Sequence, residues 1–108
     1  MTDKIVVLVT CGSKKEARKI AKALVDRRLA ACVQEIGVPM RSTYRWKGRV
    51  ASANEVLLLI KTSRKRFSAV STLVKELHSY DVPEIIALNI AEGSREYLDW
   101  ITSSVQAK

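Results

Sequence analysis

The chain is poor in the residues that most often announce chemistry: its 108 positions hold one histidine, two cysteines and a single phenylalanine. The two thiols, Cys11 and Cys32, have no C-x-x-C spacing, which argues against a disulfide framework and against a recognised zinc motif; both read as small hydrophobes. A sole histidine, His78, leaves little for acid–base work, and no nucleophile elbow, phosphate loop or H-E-x-x-H pattern is present, so the chain reads as a non-enzyme. No stretch approaches the roughly 20 apolar residues of a membrane helix, and Met1-Thr2-Asp3-Lys4 shows no cleavage-type site. A soluble cytoplasmic protein with no membrane partner is expected. Acids are also scarce, 11 against 19 Lys and Arg, for a net charge of +8. That excess suits a polyanion, yet charge alone speaks to solubility and nonspecific association. No aromatic RNP pattern accompanies it, so a basic nucleic-acid or anion binder stands as an alternative and nucleic acid is not the expected partner.

What is abundant is apolar: 47% of the residues are hydrophobic, enough for one globular domain spanning residues 1–108 with no linker, repeat or low-complexity tract. Ile5–Val9 is a β-branched run of strand length. Ser13-Lys14-Lys15-Glu16 reads as a capping box, with Glu16 reaching back over the helix start, and Ala17, Ile20, Ala21, Leu24 and Val25 follow at helical spacing. From Ala30 to Trp46 the chain reads as extended, with a bulge or edge break at Gly37 and Pro39. Lys47-Gly48 is a hairpin turn, and the return arm runs to Glu55–Lys61. Arms of roughly 13 residues at about 3.3 Å each reach on the order of 40 Å, against a radius of gyration of about 13 Å for a compact domain of this size. The tip should project. Thr62-Ser63 offers an N-cap for a second helix through Phe67, Val70, Leu73, Val74 and Leu77, ending near His78. A last strand starts at Glu84, and Gly93-Ser94 precedes a short helix with Leu98, Ile101 and Val105 on one side.

The order β-α-β-β-α-β plus a terminal helix predicts an α+β, ferredoxin-like antiparallel sheet with both main helices on one face. Residues 5–9, 56–60 and 85–88 read as strands apolar on both sides, so the other face should be hydrophobic and bare. Burial by further copies of the chain resolves that conflict. Tyr44 and Trp46, two apart on the projecting arm, are the expected contacts with a neighbour.

Several segments, in this order and spacing, resemble one known family. They are Thr10, Leu29-Ala30-Ala31-Cys32-Val33, Ser42-Thr43-Tyr44-Arg45-Trp46-Lys47-Gly48, Glu55 with Leu59-Ile60-Lys61-Thr62, His78-Ser79-Tyr80-Asp81-Val82-Pro83-Glu84 and Tyr97-Leu98-Asp99-Trp100-Ile101. Together they resemble the CutA family of divalent-cation tolerance proteins across nearly the whole chain. The resemblance implies a tight homotrimer, a response to metal ions with copper or another divalent cation as the bound ligand, and an architecture similar to the trimeric P-II small-molecule sensors. His78, Tyr80, Pro83 and Glu84 match the family's H-x-Y-x-x-P-E segment, and Cys32 matches its A-A-C-V cysteine. Val9 departs from members that carry a cysteine there, and Cys11 lies two residues further on.

One chain supplies too few spaced ligands for a metal, but across a trimer interface His78, Glu84 and a neighbour's Glu55 or thiol could meet, with His78, Cys32 and Glu84 the candidate metal residues, and imidazole with thiolate favours copper over magnesium or calcium. The plainer reading of His78 is a hydrogen-bonded residue at a helix end. Glu55, Lys61, Tyr80 and Glu84 are the candidate lining of an inter-subunit cleft for a small ligand, which makes a P-II-like sensor or scaffold the alternative function. Glu55 and Lys61 read equally well as strand-end charges.

Overall fold

The computed structural model describes residues 2–106; Met1, and with it the expectation for the first residue of the chain, lies outside them, as does the side chain of Pro39. The chain forms β1 (Lys4–Cys11), α1 (Lys14–Asp26), β2 (Cys32–Trp46), β3 (Arg49–Ser63), α2 (Phe67–Leu77), β4 (Ile85–Asn89) and α3 (Arg95–Ser104), with a 3-10 turn at Arg64–Arg66. The four strands make one sheet in the order β2-β3-β1-β4, every pair antiparallel. This is the element order expected from the sequence.

Strand residues directly opposite one another share a face, so the register sorts the sheet. Val7 lies opposite Ile60 and Val9 opposite Leu58; with Ile5, Cys11 and Val56 they pack beneath Ala17, Ile20 and Leu24 of α1 and Val70, Leu73 and Val74 of α2. That face is closed. The alternate residues form the other: Val6 stands between Leu88 and Lys61, and Leu8 between Ile86 and Leu59. Val6, Leu8, Leu57 and Leu59 are half-buried, while Ile86 and Leu88 are 49% and 53% exposed. At one end α3 docks through Ile101 and Val105 on Ala31. Among the described residues no helix is long and apolar enough to cross a membrane.

The β2–β3 hairpin closes through Lys47 and Gly48, whose φ of 52° and 78° give the positive-φ pair a two-residue turn requires. Its register shifts between Ile36 and Met40, where Gly37 and Pro39 suggest a break. The arms run 15 residues each. The tip projects, and the molecule measures 44 × 26 × 24 Å.

Two expected caps turn out differently. Ser13 Oγ does accept from Glu16 N at 3.2 Å, but the Glu16 carboxylate does not reach back; its Oε1 accepts from Ser79 N at 2.9 Å. The end of α2 packs against the start of α1 and captures it. Thr62-Ser63 does not cap α2 either, because β3 continues through Ser63 opposite Lys4. Thr62 Oγ1 instead donates to Leu29 O at 2.7 Å, and the 3-10 turn leads into α2 with no side-chain cap at Arg66.

Candidate functional site

Three connections converge at the end of the sheet where β1 stops: the Gly12-Ser13 turn into α1, the first turn of α1, and the segment after α2. The Ser13 cap starts α1 at Lys14, which sets Glu16 in the first turn, facing the end of α2. His78 closes α2, its backbone N–H donating to Val74 O at 2.9 Å, and its ring turns inward over β1.

The ring is fully buried, and both of its nitrogens have assigned roles. Nε2 lies 2.7 Å from Thr10 O; a carbonyl only accepts, so Nε2 carries the proton. Nδ1 accepts from Tyr80 N at 3.1 Å, so Nδ1 carries the lone pair. This is a neutral imidazole held in one tautomer. On the Nδ1 side Glu16 Oε2 stands 3.8 Å away. That oxygen is buried and has no hydrogen-bond partner among the described residues, a costly state for a carboxylate.

Cys11 completes the cluster. Its residue is 0% exposed, and burial, followed by the charges of Glu16, Glu55 and Glu35, pushes its thiol up to about 12. Ligand atoms of Cys11, Glu16 and His78 all lie within 4.8 Å of one another. Beside them the Tyr80 ring tilts against His78 with centroids 4.6 Å apart, and its hydroxyl donates to Glu55 Oε2 at 2.9 Å. Desolvation first, and the Glu55 carboxylate second, push the Tyr80 phenol up to about 12. A Cβ at position 12 would stand 3.1 Å from Tyr80 Oη, so Gly12 leaves the phenol its place.

Of the residues singled out in the sequence, the chain brings Tyr80 and Glu55 together beside His78. Lys61 is six residues along β3 from Glu55, about 20 Å away at strand spacing, and donates to Gln34. Cys32 lies opposite Lys61, four residues along the sheet from the Thr10–Leu57 level where His78 sits, about 13 Å. It neighbours Tyr97, whose phenol is raised by burial and then by that thiol. Glu84 is exposed just before β4. Tyr44 and Trp46 stand on the hairpin arm, 43% and 44% exposed. Within one chain His78, Cys32 and Glu84 therefore do not share a site. Sequence reasoning missed Glu16 as a site residue, and read Cys11 as a small hydrophobe two residues beyond the position where some family members carry a cysteine; the proximity of both to His78 depends on the α1–α2 packing, which no local pattern encodes.

The sequence matches the family described as "CutA1 divalent ion tolerance protein" over residues 5–104. It is 56% identical over 96 residues to the "Divalent-cation tolerance protein CutA" of Thermus thermophilus, covering 89% of this chain and 92% of that protein. It is 43% identical over 93 residues to "Protein CutA" of Mus musculus, covering 86% of this chain but only 52% of the mouse protein. The solved structure of the Thermus thermophilus divalent cation tolerance protein superposes with a TM-score of 0.92 at 51% identity, covering 95% of this chain and 99% of that one.

Proposed function

The chain belongs to the CutA1 divalent ion tolerance family, and on that premise we propose that it is a cytoplasmic, non-enzymatic homotrimer that binds divalent cations, copper among them, and serves the cell's response to them. The observation that carries the metal reading is the family match across residues 5–104. The assembly rests on a physical argument. Val6, Leu8, Leu57, Leu59, Ile86 and Leu88 make one apolar surface across three strands, continuous enough to act as an interface and costly to leave in water. The strand order β2-β3-β1-β4, with two helices on one face, supports the ferredoxin-like description.

A second reading, a trimeric small-molecule sensor, is favoured by the Tyr80–Glu55 pair, which joins a half-exposed phenol to a buried carboxylate at the mouth of the site. Titration of copper into the full-length chain, followed by calorimetry, separates the two. Saturable uptake is expected; none at all leaves the sensor reading. Light scattering is expected to give three times the chain mass, and a stable monomer overturns the trimer.

A further inference from the structure

We propose that Cys11 Sγ, Glu16 and His78 Nδ1 form a buried three-ligand site for a borderline divalent cation of the zinc type, within a single chain. The proposal deepens the metal reading above and rests on it only for the expectation that the protein meets such cations. The donor set is the first argument. Thiolate, carboxylate and imidazole are the three side chains zinc uses, at about 2.0–2.3 Å, and in a tetrahedron those bonds place ligand atoms about 3.3–3.8 Å apart. Glu16 Oε2 and His78 Nδ1 are already 3.8 Å apart, and Cys11 Sγ lies within 4.8 Å of a carboxylate oxygen of Glu16 and of a ring nitrogen of His78. Side-chain adjustments of about 1–1.5 Å bring the widest separation, 4.8 Å, to that spacing.

Orientation is the second argument. A metal-bound histidine characteristically gives its other ring N–H to a backbone carbonyl or a carboxylate. His78 does so to Thr10 O at 2.7 Å, and this leaves the Nδ1 lone pair on the side of Glu16. Glu16 is held in the same way, one oxygen fixed by Ser79 N and the other buried without a partner. Among the described residues no donor serves that oxygen. Binding takes the Nδ1 lone pair from Tyr80 N, so the segment after α2 shifts on loading.

Charge is the third. A dication with one thiolate, one carboxylate and a neutral imidazole sums to zero, the net charge that suits a buried position. The thiol proton leaves to solvent as the Cys11 sulfur binds. A three-ligand set also leaves a fourth position for water or a small molecule, as zinc sites other than purely structural ones do.

Cobalt(II), added to the full chain under reducing conditions, reads the site directly, because a cysteine thiolate bound to it gives a near-ultraviolet charge-transfer band. One equivalent per chain is expected to produce the band, and zinc to abolish it by displacement. Cys11→Ala should remove the band, Cys32→Ala should keep it, and Glu16→Gln, a substitution at the edge of the core, should weaken binding about tenfold or more. Far-ultraviolet circular dichroism identifies any variant that has lost its fold, and Glu16→Gln decides the matter if Cys11→Ala is one. Cobalt uptake of equal strength in native chain, Cys11→Ala and Glu16→Gln overturns this site while leaving divalent-cation binding intact. No cobalt, zinc or copper uptake by the native chain overturns both.

Discussion

The two faces of β1 share a strand and a composition but not a fate. Val7 and Val9 are 0% exposed beneath α1 and α2; their neighbours Val6 and Leu8, as apolar, are only half-buried beside exposed Ile86 and Leu88. One face is completed by the chain's own helices and the other is not. An amphipathic strand would have alternated and asked for nothing more; the missing alternation is the sequence signature of the face that the chain's own helices leave open.

The comparison breaks most visibly if the open face is given a charge. Leu88→Glu places a carboxylate on that surface, and if copies of the chain cover it, the burden is several kcal/mol for each buried, unpaired charge. Loss of assembly is expected in light scattering, with the far-ultraviolet spectrum of the separated chains retained. An unchanged mass would mean that the open face is not the interface. On the closed face the same question is asked by truncation. Leu58→Ala removes a side chain that is 0% exposed and should cost about 2–5 kcal/mol in urea unfolding. Its neighbour Leu59→Ala, on the open face and half-buried within the chain, should cost less as protein concentration falls if copies of the chain complete its burial.

Much of this was legible in the sequence, and for a definable reason. Local patterns carry local structure: the β-branched run at Ile5–Val9, the helical spacing from Ala17 to Val25 and the positive-φ demand of Lys47-Gly48 each name an element without help from the rest of the chain. Double-faced apolarity carried one step further, to a sheet with one side wanting cover. The candidate site was not legible in the same way. Cys11, Glu16 and His78 meet because α1 and α2 pack side by side, and 62 positions separate Glu16 from His78. The capping-box pattern even pointed Glu16 at its own helix, since Ser13 and Glu16 have the required spacing; tertiary contact with Ser79 N prevailed. A signal existed all the same. Period two places Cys11 on the inner face with Val9, at the strand end where a histidine closing α2 would arrive.

Tyr80 lies where the site opens between the two faces, and its phenol sharpens the comparison through pH. Held up to about 12 by burial and then by Glu55, against about 10 in an unfolded chain, it favours the folded state while neutral. That contribution is complete below about pH 10 and is lost as pH rises through about 12. Absorbance titration should show a tyrosine ionising near pH 12, and Tyr80→Phe should delete that late step. Removing the hydroxyl leaves buried Glu55 without that donor and should cost about 1 kcal/mol at neutral pH, the modest figure reflecting a phenol partly in water.

The smallest expected effect tests whether the closed face also governs the site. Ser13 Oγ caps α1 by accepting from Glu16 N at 3.2 Å, and an N-cap serine replaced by alanine typically costs about 1 kcal/mol. Ser13 touches neither the core nor the open sheet face, so Ser13→Ala should lower the urea midpoint slightly and leave the assembled mass unchanged. It does, however, fix the first turn from which Glu16 projects toward His78. Cobalt affinity should therefore fall a few-fold in Ser13→Ala, through the placement of Glu16. Stability lowered with cobalt affinity intact would show that Ser79 N alone is enough to position the carboxylate, and that the cap serves only the helix.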